Sequence, residues 1–358
     1  MGRIRVNAAD PSTSVSNEGN GLDPAQFFAA SRVVIVAGKG GVGKTTVSAA
    51  LARAAARSGL STLVIEVEGK SGLAALFGQP AFDYDEVVLA RGGGPDGAAD
   101  VRGRALTPDD ALVEYLRDHG MQRVSKRLAQ AGALEIVSTA APGIKDILIL
   151  GKVKSIELDT RPSRRADLVI LDAPAAGHAI SFLRSPRGLL DAVSVGPINA
   201  QARDVLDMLT DPARCQVTLV TLPEETPVNE LVETAYSLED EVGISLGPVF
   251  VNGLYPDRPG IEIDAVEAAT QAGAKLRPGE ADGLRAAARF RQRRRALQVE
   301  QVARLAELLP LPQIALPFLF TADLGPASVD QLADAVLQGI AELTELPGHG
   351  PVTTGEPR

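Results

Sequence analysis

The sequence holds one cysteine, three methionines and no tryptophan in 358 residues. The single thiol, Cys215, excludes an intrachain disulfide and any metal site built from a cluster of cysteines. It lies beside Val217-Thr218-Leu219-Val220 and reads as a buried structural thiol. No apolar run approaches the roughly 18 residues that a membrane-spanning helix needs, so no transmembrane segment is expected. Positive charge is in deficit: 36 Lys and Arg against 45 Asp and Glu leave a net charge of −9, which argues against a general nucleic-acid binder. Residues 1–30 lack the apolar segment of a secretory signal and are expected to be disordered, as is the tail 346–358. These absences together point to a cytoplasmic protein. The 45% hydrophobic content is ample for a sizeable core over residues 31–345.

What is present centres on Gly38-Lys39-Gly40-Gly41-Val42-Gly43-Lys44-Thr45, followed by Thr46. The stretch fits the phosphate-cradling pattern G-x-x-x-x-G-K-[ST], with a second lysine after the first glycine. Glycines let the backbone curl so that several N–H groups face phosphate oxygens. Lys44 is expected to reach the β- and γ-phosphates, and the Thr45 hydroxyl to hold Mg²⁺. The flanks agree. Arg32-Val33-Val34-Ile35-Val36-Ala37 reads as a buried parallel strand, and the alanine-rich stretch from Thr46 to Arg57 as a helix whose N-terminus adds its dipole to the anion site.

Strand-like and helical runs alternate beyond this point. Ser61–Val67, Asp167–Leu171, Gln216–Thr221, Pro248–Val251 and Gln313–Leu316 read as strands, and Val228–Glu241 and Asp282–Leu309 as helices. Such alternation predicts an α/β fold: a mostly parallel sheet covered by helices on both faces, with ligand at the carboxyl ends of the strands. Residues Thr107 to Glu157 break the rhythm and read as an inserted helical subdomain, while Arg91–Gly97 reads as a loop.

Several polar residues fall at strand ends. Asp172 closes an apolar strand, where such folds bind the Mg²⁺ shell. Glu66 and Glu68 end the second strand on one side of the chain, and either could position an attacking water. His178, in the loop after Asp172, could sense a γ-phosphate or simply start a helix. Asn252 could read an adenine edge with one donor and one acceptor. Pro317 and Phe318 follow the last strand and could pack against the base. The arginines between Arg285 and Arg295 could meet an acidic partner, anionic lipid or RNA, but a solvated helix face balanced by nearby acids is the commoner arrangement.

The loop at 38–45 resembles the deviant phosphate loop of the ArsA, guided-entry, MinD and ParA ATPases. Within that group the chain is most similar to the ArsA/guided-entry branch. Asp172-Ala173-Pro174-Ala175-Ala176-Gly177-His178 with Ser181-Phe182-Leu183 is similar to its switch II stretch, and Val220–Glu225, Val251-Asn252 and Ala141–Asp146 are similar to further motifs. Over about residues 32–342 the chain looks like the half-size, actinobacterial-type ArsA-like ATPases. The resemblance implies ATP and Mg²⁺ as cofactors, hydrolysis by a nucleotide-gated dimer, and Lys39 reaching a partner's nucleotide. Lys39, Lys44, Glu68 and Asp172 would be the catalytic set. The dimer could be a homodimer or a heterodimer with a paralogous half, acting on an unknown client, with peripheral membrane contact open. One departure is Glu68-Gly69-Lys70-Ser71 where the family's switch I reads D-P-A-H. Others are the missing cysteines for arsenite or intersubunit zinc, and too few methionines for a Met-rich client groove. An ATP-binding adaptor with little hydrolysis and a MinD/ParA-type positioning ATPase are the alternatives.

Overall fold

The computed structural model describes residues 21–67, 72–93, 97–118, 143–161, 164–174 and 176–343. Its centre is an eight-stranded sheet. The strands are β1 (Val33–Ala37), β2 (Thr62–Val67), β3 (Val87–Ala90), β4 (Val101–Leu106), β5 (Leu168–Asp172), β6 (Cys215–Thr221), β7 (Leu246–Leu254) and β8 (Gln313–Pro317). They lie in the order β3-β4-β2-β5-β1-β6-β7-β8, and only β3 runs antiparallel to its neighbour. β1 therefore sits in the middle, parallel to β5 on one side and β6 on the other. Every residue of β2, β5 and β6 is buried, as expected of parallel strands covered on both faces.

One face carries α1 (Pro24–Ala29), α2 (Lys44–Arg57), α3 (Gly72–Leu76) and α11 (Pro326–Ala341). The alanines of α2 are buried almost all round. Their short side chains let the helix sit between the sheet and α11, to which Arg53 and Arg57 are tied through Asp330 and Asp334. The other face carries α4 (Pro108–Asp118), α5 (Ile144–Glu157), α6 (Ala176–Ala192), α7 (Pro197–Thr210) and α8 (Glu225–Val242). Between β7 and β8 lie α9 (Ala265–Gln271) and the long α10 (Glu280–Leu308).

The structure departs from the sequence reading in three places. Residues 21–30 are ordered rather than disordered: Asp23 caps α1, Phe28 is buried, and the Leu22 N–H donates to the Leu343 carbonyl. Two adjacent phenylalanines supply an apolar anchor that outweighs the polar surroundings. Strands β3 and β4 went unread, because Arg102 and Arg104 interrupt the apolar pattern of β4. Within Thr107–Glu157, α5 packs into the same core cluster as β1 and β5, while residues 119–142 lie outside the described set. The expectations for residues 1–20 and 344–358 also fall outside it.

Candidate functional site

The phosphate-type loop joins the end of β1 to the start of α2. Gly38, Gly41 and Gly43 have φ of +155°, +85° and +91°, a backbone that side chains rarely adopt. A Cβ on Gly38 would stand 2.4 Å from the Val220 carbonyl oxygen of β6, and one on Gly43 2.3 Å from Asn252 Nδ2. Gly38 and Gly43 are thus demanded by both dihedral and space, and Gly41 by dihedral alone. Lys39, Gly40 and Gly41 are exposed, whereas Val42 is buried and anchors the loop. Lys44 Nζ donates to the Lys39 carbonyl at 3.2 Å, which sets its ammonium across the loop. Thr45 and Thr46 lie on the first turn of α2.

β5 brings Asp172 to this loop. In register it faces Val36 of β1 and Glu66 of β2. Asp172 Oδ2 accepts from Thr45 Oγ1 at 2.6 Å and Oδ1 from Ser48 Oγ at 3.3 Å. Burial pushes the Asp172 carboxyl up, against the pull of Thr45, Lys44 and Ser48. Glu66 is only 4% exposed, and its pKa is raised to about 7, first by burial and then by the negative charge of Asp172. Thr45 and Asp172 suit a Mg²⁺ ion, which takes one or two carboxylates and fills its shell with hydroxyl, water and phosphate oxygens. A protein cage of three or more His, Cys, Asp or Glu does not occur among the described residues, so phosphate and water would supply the remainder.

Asn252 reaches the loop rather than open space: its Nδ2 donates to the Val42 carbonyl at 2.9 Å. Its neighbour Gly253 is held by Gln298 of α10, whose Nε2 donates to the Gly253 carbonyl and whose Oε1 accepts from the Tyr255 N–H. Pro317 ends β8, and the Phe318 N–H donates to the Leu254 carbonyl. The half-exposed Phe318 ring packs near Gly253 and against Tyr255 and Phe320, with centroids 5.2 and 4.8 Å away. Asn252 and Phe318 thus share the same end of the sheet as the loop.

Lys39 is ion-paired with Glu230 of α8. Ser48, Glu230 and Gln298 went unnoticed in the sequence. Ser48 was findable, standing three residues after Thr45 on the same helix face. Nothing in the sequence marks Glu230 or Gln298. Glu68 lies outside the described residues, and so does Ala175; His178 is within α6. Cys215 is fully buried, and burial raises its thiol pKa to about 12. Half of the basic run of α10 pairs with acids: Arg285 with Asp264 and Asp282, Arg294 with Glu224, and Arg295 with Asp257. Arg291 stacks over Phe320. Among the described residues no helix is long and apolar enough to cross a membrane.

A central strand, a glycine loop, a helix N-terminus and a facing strand-end aspartate define a phosphate-loop nucleoside triphosphatase of the α/β class. Residues 31–195 match the anion-transporting ATPase family. The ATPase BagA of Mycobacterium tuberculosis is 31% identical over 326 residues, covering 86% of this chain and 93% of that protein. An arsenical pump-driving ATPase of Escherichia coli is 24% identical over 61% of this chain and 39% of its own length. ATPase get3 of Neurospora crassa is 26% identical over 58% and 57%. The chain belongs to the anion-transporting ATPase family and is an ATP-hydrolysing enzyme.

Proposed function

We propose that the enzyme hydrolyses ATP in a Mg²⁺-dependent manner as a nucleotide-gated dimer, and couples the nucleotide state to a client or partner. The carrying observation is the Thr45–Asp172 hydrogen bond at the mouth of a loop whose Gly41 and Gly43 hold positive-φ backbone. Thr45 and Asp172 would hold the metal, which would neutralise charge on the β- and γ-phosphoryl oxygens. Loop N–H groups and Lys44 would bind those oxygens, and Gly38 through Thr46 would form the cradle. Asn252 would brace the loop and offer its remaining hydrogen-bonding capacity to the base, beside Pro317 and Phe318. Either Glu66 or Glu68 would orient the attacking water. Glu66 has the observed position beside Asp172.

Lys39 carries the dimer reading. Its tie to Glu230 within one chain gives it a resting partner, so action on a second chain's nucleotide would require that ion pair to open. The same pair supports slow turnover by the isolated chain. The partner could be a second copy or a paralogous half. The decisive measurement is phosphate release from ATP with and without Mg²⁺, alongside oligomeric state. Lys44→Ala is expected to abolish turnover, since removing one preorganised charge-stabilising group costs on the order of 10²–10³ in rate. Unchanged turnover would refute the site. Single-turnover rates of Glu66→Gln and Glu68→Gln separate the two water-positioning candidates.

A further inference from the structure

A second polar cavity, of about 190 Å³, lies between the end of β4, helices α4 and α5, and the loop after α5. Its charged lining is Glu86, Arg104, Glu114, Lys152, Asp159, Arg161 and Arg164. Arg104 pairs in register with Ile65, which belongs to the core under α5, whereas the adjacent Glu66 points to the opposite face. The cavity and the nucleotide loop therefore occupy different parts of the molecule.

Its charges do not cancel. Glu86 is taken by Arg102 at 2.7 Å, Glu114 by Lys152 at 2.5 Å, and Asp159 by Arg161. Arg104 is left to share Glu86 with Arg102, and Arg164 to share Asp159 with Arg161. The Arg104 side chain is nine-tenths buried, yet its nearest carboxylate oxygen, on Glu86, stands 3.8 Å away. Its Nε is buried with no partner among the described residues, and the guanidinium lies over the Tyr84 ring at 4.3 Å. A buried, under-bonded guanidinium is costly unless a counter-charge completes it. Burial holds the Arg104 pKa below its ordinary value, and the nearby Arg164 pushes the same way against the pull of Glu86, Asp85 and Asp110. Glu114 Oε2 is also buried without a hydrogen-bond donor among the described residues.

We infer that this cavity binds a small oxyanion that also carries a hydroxyl proton, with hydrogen phosphate the best match. The oxyanion would lie between Arg104 and Arg164, which otherwise repel each other, and its O–H would donate to Glu114 Oε2. Guanidinium–oxyanion bonds are charge-assisted and of the bidentate kind that lysine cannot reproduce. The volume leaves room for such an ion and several waters, at about 30 Å³ per water.

The test is isothermal titration of inorganic phosphate into the full chain held with excess ADP, so that the nucleotide loop does not compete. Saturable binding is expected, retained in Lys44→Ala and lost in Arg104→Met. Arg104→Lys keeps the charge and guards against misfolding; there, affinity is expected to fall roughly tenfold. Sulfate, which has no proton to give Glu114, is expected to bind more weakly than phosphate. A hydroxycarboxylate arm tells a carboxylate ligand from a phosphate one, since whichever saturates at lower concentration names the source. Basal ATP turnover is expected to be unchanged in Arg104→Met, so failure here leaves the nucleotide site untouched. No saturable binding to the wild-type chain, or equal binding by Arg104 variants with wild-type circular dichroism and melting temperature, overturns the assignment.

Discussion

Three side chains decide how much chemistry the site can do. Lys44, Thr45 and Asp172 converge because β1 and β5 are parallel neighbours in register, with Val36 opposite Asp172. Lys39 is different, since its contact within the chain is Glu230 on another element. Lys39→Ala is expected to keep nucleotide binding, measured with a fluorescent ATP analogue, and to lose hydrolysis; retained turnover would count against a role in trans. Glu230→Gln is expected to raise basal turnover or the dimer fraction by freeing Lys39, and a wild-type rate together with a wild-type oligomer would remove the resting-partner reading. Cys215 supplies a control. With its thiol pushed up to about 12 from an ordinary 9, folding favours the protonated form. Its contribution to stability is present below the ordinary thiol pKa and is lost as pH rises from there toward 12. Alkylation of the native chain at mildly alkaline pH is therefore expected to be negligible and to become rapid on denaturation. Rapid alkylation of the folded chain would contradict the burial.

At the scale of elements, the nucleotide loop is braced from the far side of the sheet. β7 delivers Asn252 to the Val42 carbonyl, and α10 delivers the buried Gln298 to the backbone on either side of Leu254. Gln298→Leu leaves the Gly253 carbonyl and Tyr255 N–H without their partner. It is expected to cost about 1–3 kcal/mol, read as a lowered denaturation midpoint, and to weaken nucleotide binding through Asn252. Gly43→Ala is expected to cost about 1–2 kcal/mol for its left-handed backbone, before counting the clash with Asn252. An alanine variant with wild-type stability and nucleotide affinity would show that the loop adopts another form. The strands that build the site were legible in the sequence because parallel, doubly covered strands are nearly continuous apolar runs, as in Val33–Ala37 and Leu168–Leu171. β4 was not, since Arg102 and Arg104 serve ion pairs and a cavity that exist only once α4, α5, Asp159, Arg161 and Arg164 come together around it. Helix α1 was hidden for the opposite reason, with two phenylalanines in polar surroundings.

For the whole molecule, the central expectation is a change of assembly with nucleotide. ATP with Mg²⁺ is expected to move the chain from monomer toward dimer in light scattering, and hydrolysis to reverse it. A mass independent of nucleotide, combined with active turnover, would leave an enzyme that needs no second chain. The arrangement suits a gated engine. The loop, the strand ends bearing Glu66 and Asp172, and α8, whose Glu230 pairs with Lys39, all meet at one end of the sheet, while the face bearing α4 and α5 carries the second polar cavity.

The sequence by itself determined the α/β fold, the phosphate-type loop with its extra lysine, the strand-end aspartate and the single cysteine. Each of these is local: a periodicity, a fixed spacing or a count. Only the tertiary structure decided that Asp172 bonds Thr45 and Ser48, that Glu66 is buried against Asp172, and that Lys39 rests on Glu230. The same holds for Asn252 bracing the loop and for Arg104 facing Arg164 across a cavity. These contacts join residues far apart in the chain, and their energies depend on burial and approach distances that no local pattern encodes.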